Sequence, residues 1–239
     1  MTPQQLLDNE AIVAPDISHL VIEDDTPVDN FQSAKQQRLL VEVLYSSDVL
    51  PLPFIADTNV GLFYAPRQSA VIVPDAFLSL GVQMPSDWSE KKNRSYFVWE
   101  FEKVPEVCIE IVSNREGNEL ESKKATYARL GVPYYAVFDP LRQLQKPDEM
   151  NGSVLKVWAL SVGRYTELPP SQVFWFETVG LGLTLWDGVF EGQQDSWLRW
   201  CRQDGRVIPT GKERADQAQQ KTERLAERLR QMGVDPDAV

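Results

Sequence analysis

At 239 residues, 43% of them apolar and 25% charged, the chain has the composition of a globular domain large enough to bury a core without covalent staples. Two cysteines (Cys108, Cys201) and one histidine (His19) argue against a disulfide framework, a Ser-His triad and zinc held by several histidines. The net charge of −11 argues against a general basic surface for nucleic acid.

Much of that acidity is at the start. Asp8, Glu10, Asp16, Glu23, Asp24, Asp25 and Asp29 all precede the first base, Lys35. Residues 1–28, with one short helix expected near Gln4 to Leu7, read as an acidic arm. The spacing then predicts a helix over Phe31 to Tyr45, capped by Asp29 with Gln32. Glu42 on this helix is a candidate site acid or, on the plainer reading, the partner of Arg38 one turn earlier. Phe54 to Ala65 reads as a hairpin turning at Asp57-Thr58-Asn59, and Val71 to Asp75 as a buried strand. Gly81 to Arg94, rich in Pro, Ser, Lys and Asp, reads as a mobile loop. Ser95 to Glu102 alternates like a strand, and Val107 to Val112 is a buried one, with Glu110 on the same face as Cys108 and Val112.

Asn118 and Gly131 bracket a helix over Glu119 to Leu130, whose stripe is Leu120, Tyr127 and Leu130. Lys123 lies on that stripe, three residues after Leu120 and four before Tyr127, and Lys124 borders it. Val132 to Pro140 is a further strand ending in a turn. Val154 to Leu160 and Tyr165 to Leu168 form a hairpin, followed by strands at Val173 to Phe176 and Leu181 to Trp186. Their aromatics Trp158, Phe174, Trp175, Phe176 and Trp186 read as core or contact surface rather than base-stacking platforms. Thr210 with Glu213 opens a final helix that Gly233 and Pro236 close. Ala215, Ala218, Thr222, Leu225, Leu229 and Met232 give it a heptad seam of about three repeats, the pattern of a coiled coil. The divisions expected are therefore the arm, a body over 29–206 and a tail over 210–233.

A carboxylate inside an apolar run is costly to bury without a cation or donors. The order strand, strand, helix, strand brings Asp75, Glu110 and Lys123 around one end of a sheet. Two carboxylates and a lysine there suit metal-dependent phosphodiester hydrolysis, with hard oxygens for Mg²⁺ or Mn²⁺ and a lysine to orient water and stabilise charge. The plainer alternatives are Asp75 capping a turn and Lys123 pairing with Glu119 on the helix surface. Arg115, Lys123 and Lys124 form one small basic cluster, and Lys91, Lys92 and Arg94 another.

Pro74-Asp75, Ile109-Glu110-Ile111-Val112-Ser113, Lys123 four before Tyr127, Gly131-Val132 and Asp139-Pro140 together resemble the Uma family of restriction endonucleases. That family belongs to the PD-(D/E)XK nuclease superfamily, and the likeness spans about Pro27 to Trp186. The resemblance implies a restriction-endonuclease-like α/β fold, a mixed central sheet flanked by helices. It also implies Asp75 and Glu110 as metal ligands, Lys123 as the catalytic lysine, and DNA as substrate. One departure is plain: the superfamily's lysine two residues after the strand acid is Val112 here, and Lys123 stands for it on the following helix. The competing expectation is a catalytically inactive nuclease-fold protein acting as a dimeric interaction module. A homodimer is expected in either case, held mainly by the strands from Val173 to Trp186, so that deletion after Arg206 leaves it intact. With no opening signal stretch and no apolar run of spanning length, a cytoplasmic protein without membrane contact is expected.

Overall fold

The computed structural model describes residues 16–20, 30–66, 71–115, 119–233 and 235. The helix expected at Gln4 to Leu7, the caps expected at Asp29 and Asn118, and the stop expected at Pro236 lie outside these residues. Helix α1, Phe31–Tyr45, starts from Asn30, whose side chain accepts the Ser33 amide at 2.9 Å. It buries Leu39, Leu40, Val43 and Leu44, but also Gln36 and Gln37. The Gln36 amide exchanges two hydrogen bonds with the Leu198 backbone (2.8 and 2.9 Å), locking the helix to a strand that the sequence had not revealed.

The central sheet has six strands: β1 Phe54–Asp57, β3 Ala76–Leu80, β5 Val107–Ile111, β6 Tyr134–Phe138, β7 Leu155–Ser161 and β8 Arg164–Glu167. They lie side by side in that order; β5 and β6 run parallel and the other neighbours antiparallel. Alternation along β5 divides two cores, as period-2 side chains must. Val107, Ile109 and Ile111 face α1 and a second sheet. Cys108 and Val112 face the helical turn after β5 together with Tyr127, Tyr135 and Trp158. That second sheet is three-stranded: β9 Phe174–Phe176, β10 Leu181–Phe190 and β11 Gln193–Cys201.

Four expected elements are corrected. Residues 71–75 make only an isolated bridge, Ile72 to Leu62, and the strand starts at Ala76; Pro74, lacking an N–H, cannot continue a ladder. The 54–65 hairpin is not formed: β1 pairs with β3, while β2, Leu62–Phe63, joins β4, Tyr96–Phe97, in a separate parallel pair. The 95–102 strand is only β4, followed by a single helical turn α2, Val98–Phe101, whose Phe101 ring stacks on Tyr96 and whose Trp99 ring packs on Phe97. The helix at 119–130 opens with a π-helical turn, Glu119–Lys123, before α3, Lys124–Leu130. Gly131, at φ 89°, closes it as expected. The loop at 81–94 contains one 3₁₀ turn, Lys91–Asn93.

Trp158, Phe174 and Phe176 are core residues. Helix α4, Gly211–Gln231, carries the expected capping box between Thr210 and Glu213. None of its residues is buried, and Leu225 and Met232 of the heptad series are 55% and 63% exposed.

Candidate active site

Register places the acids. Ala76 pairs with Ile109 across β3 and β5, so one further antiparallel step sets Asp75 opposite Glu110. Asp57 pairs with Phe77 across β1 and β3, where that ladder ends, and the chain then turns, with Asn59 at φ 53°. The Asn59 amide donates to the Pro74 carbonyl at 3.2 Å. Asp75 and Glu110 thus form a row on neighbouring segments at one face of the sheet, and Asn59, in the turn after β1, lies beside Asp75 through Gln37.

Each side chain in the row is held. Asp75 Oδ2 accepts the Ile111 amide at 2.6 Å, and Gln37 of α1 reaches its Oδ1 at 3.4 Å. Gln37 and Asn59 exchange amide hydrogen bonds at 3.0 and 3.3 Å. Glu110 is fully buried, and its two oxygens go to two residues one helical turn apart. Lys123 Nζ donates to Oε2 at 2.7 Å and the Tyr127 hydroxyl to Oε1 at 2.8 Å. Helical spacing aligns these two donors, and the π turn before α3 fixes the register at which they face the sheet. Such turns often occur where a side chain must be aimed. Tyr135 supports the turn by donating to the Glu119 carbonyl at 2.7 Å.

The electrostatics follow from burial. Removal from water pushes the Glu110 carboxyl up from its ordinary 4.5 to about 8, Lys123 opposes the rise, and the charge of Asp75 adds to it. Burial works against the Lys123 ammonium, but the Glu110 and Asp75 carboxylates outweigh it and hold its pKa above the ordinary value. Lys123 therefore stays cationic, with its side chain 31% exposed toward solvent, while Glu110 is a carboxyl of high proton affinity.

Asp75, Glu110 and Lys123 thus meet. Lys123 pairs with Glu110 rather than Glu119. Glu42 does not join them, and it does not pair with Arg38 either. Its Oε1 accepts the Gly211 amide at 2.8 Å, at the start of α4, and Arg38 reaches Glu191 instead at 2.6 and 3.0 Å. The α1 residue beside Asp75 is Gln37. Its signal in the sequence is polarity on the buried stripe, three residues before Leu40 and seven before Leu44. Tyr127, read only as part of an apolar stripe, is also a donor to the site. Lys124 is elsewhere, over the Trp158 ring at 4.7 Å. Among the described residues no group of three or more His, Cys, Asp or Glu side chains is placed to hold a metal ion. No helix among them is long and apolar enough to cross a membrane.

A mixed sheet flanked by helices, with two carboxylates on adjacent strands and a lysine from the next helix, belongs to the restriction-endonuclease-like class. Residues 6–172 match the Uma2 family model, described as "Putative restriction endonuclease", and the chain belongs to that family. A solved structure is also similar, titled as a putative nuclease belonging to DUF820 from Anabaena variabilis. It is 15% identical, with 62% of this chain and 73% of that one covered and a TM-score of 0.38. No curated protein matches the chain.

Proposed function

We propose that this chain is a divalent-metal-dependent endonuclease that hydrolyses DNA phosphodiester bonds, its body spanning 29–206. The observation that carries the reading is the 2.7 Å contact of Lys123 with a fully buried Glu110, on the strand position facing Asp75. The donor set fits Mg²⁺ or Mn²⁺. Asp75 and Glu110 offer hard carboxylate oxygens, with the amide oxygens of Gln37 and Asn59 beside them, and Mg²⁺ is commonly held by one or two carboxylates plus substrate phosphate. Asp75 and Glu110 are the proposed ligands. When bound, the ion supplies Lewis-acid stabilisation of phosphate charge and a lowered pKa for water.

The protein groups do the rest. The Ile111 amide and Gln37 fix the direction of Asp75. Tyr127 fixes one oxygen of Glu110 and leaves the other to the cation side of the site. Lys123, on an exposed helical turn, orients the attacking water and offsets negative charge as it grows on the phosphate.

Calorimetric titration with Mn²⁺ tests the reading: the intact chain should bind it, and Asp75→Asn should not. Lys123→Ala should still bind Mn²⁺ but cleave plasmid DNA at least about a hundredfold more slowly, the usual worth of a positioned proton-transfer or charge-stabilising group. A chain that binds no Mn²⁺ would sink the enzyme reading in favour of an inactive nuclease-fold interaction module. The exposed heptad face of α4 is the observation on that side.

We also infer a homodimer, with the contact moved from the strands to the tail. Phe174 and Phe176 of β9 belong to the chain's own core, which removes them from any interface, whereas no described residue covers the α4 seam. Three repeats, half of whose seam residues are small, hold weakly, since short isolated helices are marginal in water. Light scattering should then show dimer rising with concentration, and truncation after Ala218 should abolish it. Truncation after Arg206 would be uninformative, because it removes the buried Ile208 and the partner of buried Arg199. A dimer that survives loss of residues 219–239 would overturn the tail contact.

A further inference from the structure

Beside the carboxylate row, on the same face of the sheet, lies a cavity of about 310 Å³. Asp57 and Phe77 line it, and Phe77 is two residues from Asp75. That is one pleat along the strand, about 7 Å. Its remaining walls include Tyr96, Phe101 and Trp88, and Arg94 stands at its side.

The walls are aromatic and held in place. Tyr96 stacks on Phe101 at 4.5 Å and meets Phe77 edge-on at 5.4 Å. The Tyr96 hydroxyl is engaged with Ser79 at 2.9 Å and donates to the Lys103 carbonyl at 3.1 Å, which leaves its ring as a fixed apolar surface. Trp88 is different: it is 64% exposed, yet its indole N–H is anchored on the Pro85 carbonyl at 2.9 Å. An exposed ring held in one orientation at an apolar cavity is a stacking surface that the described residues leave uncovered. Asp57 supplies the polar end. One oxygen accepts the Thr58 amide at 2.8 Å, and burial raises its carboxyl pKa, as expected for an acid set against apolar walls.

We propose that this cavity receives a single nucleobase carrying an exocyclic amine, turned out of its strand, next to the scissile phosphate; this rests on the nuclease reading of the neighbouring row. Bases with exposed π-faces stack on aromatic side chains irrespective of sequence. A base taken out of its stack is then read through its hydrogen-bonding edge. As a carboxylate Asp57 only accepts hydrogen bonds, so it favours the amino groups of adenine and cytosine over the carbonyls of thymine. The cavity would give an acidic chain a route to DNA that does not depend on a broad basic surface.

The test uses the full chain in chelator, so that it is independent of metal binding. The Trp88 indole N–H resonance is followed by NMR during titration with dAMP, dCMP, dTMP and inorganic phosphate. dAMP and dCMP should shift it and bind at least fivefold more tightly than dTMP, and phosphate alone should leave it in place. Trp88→Ala, an exposed loop change, should weaken dAMP binding about tenfold, and Asp57→Ala should even out the three nucleotides. The proposal is overturned if the nucleotides move Trp88 no more than phosphate does, or if the preference survives Asp57→Ala. Mn²⁺ titration separates the two readings. Nucleotide binding without Mn²⁺ binding leaves the base cavity standing and removes the nuclease, and the reverse removes the cavity alone.

Discussion

Glu110→Gln should abolish Mn²⁺ binding and lower DNA cleavage by about a thousandfold or more, while making the metal-free protein more stable at pH 8. The first effect follows from losing one of two proposed anionic ligands and the charge that aims Lys123. The second follows from burial. Glu110 is fully enclosed, its carboxyl is pushed up to about 8, and the unfolded chain would titrate it near 4.5. Between those values the folded state binds more protons than the unfolded one, so stability falls as pH rises, by about 1.4 kcal/mol per unit. Lys123 adds nothing in this window, since it is protonated in both states. Gln keeps an acceptor for the Tyr127 hydroxyl and carries no charge to desolvate. Chemical denaturation in chelator should therefore show the variant and parent nearly equal at pH 5, and the variant ahead by about 3 kcal/mol at pH 8. The same proton competition predicts that Mn²⁺ affinity of the parent rises with pH up to about 8 and then levels. A variant less stable than the parent at pH 8 would show that Glu110 holds the fold together rather than serving the site at the fold's expense.

Glu213→Ala should destabilise the chain by about 3 kcal/mol, far more than a change on an exposed helix normally does. Arg199 comes from β11, its side chain only 2% exposed, and Glu213 meets its guanidinium with both oxygens at 2.7 and 2.9 Å. The Ile208 carbonyl, at 2.7 Å, and the Trp186 ring, at 4.6 Å, complete its surroundings. Removing the carboxylate strands a buried cation and also deletes half of the Thr210 capping box. Glu213 is itself 33% exposed, so water reaches part of the site and keeps the cost toward the low end for a broken buried pair. Arg199→Met combined with Glu213→Ala should recover most of the loss, because an apolar side chain in that cavity needs no partner. Urea unfolding of the two variants decides it: a Glu213→Ala midpoint equal to the parent would mean that α4 is not anchored through this pair.

The local elements were legible because they depend on local spacing. A β-branched run with one acid gave β5, a three-and-four pattern ending in glycine gave the helix after it, and a Thr with Glu three residues on gave α4. Strand β11 was not legible. It opens on Gln193, Gln194, Asp195 and Ser196, polar residues that alternate with nothing, and Arg199 interrupts its apolar end. Its strand state comes from nine paired positions on β10, reached through the two-residue turn Glu191-Gly192, and from the amide of Gln36, which is distant in sequence. The expected hairpin at 54–65 failed for the complementary reason: neighbouring extended segments carry no local mark of which sheet each will join.

The candidate site divides in the same way. The sequence by itself determined which chemistry was on offer, an acid in each of two apolar runs and a lysine on the buried stripe of a helix, because burial and periodicity are written residue by residue. Only the tertiary structure decided which of these side chains meet. Asp75 faces Glu110 through the antiparallel register of β3 and β5, a relation between segments far apart in the chain. Glu42 and Gln37 share a helix, but five residues at 3.6 per turn set them roughly 140° apart, so that one faces the tail and the other the site. No composition or motif distinguishes those two directions, because they follow from how α1 is seated against β11 and the central sheet.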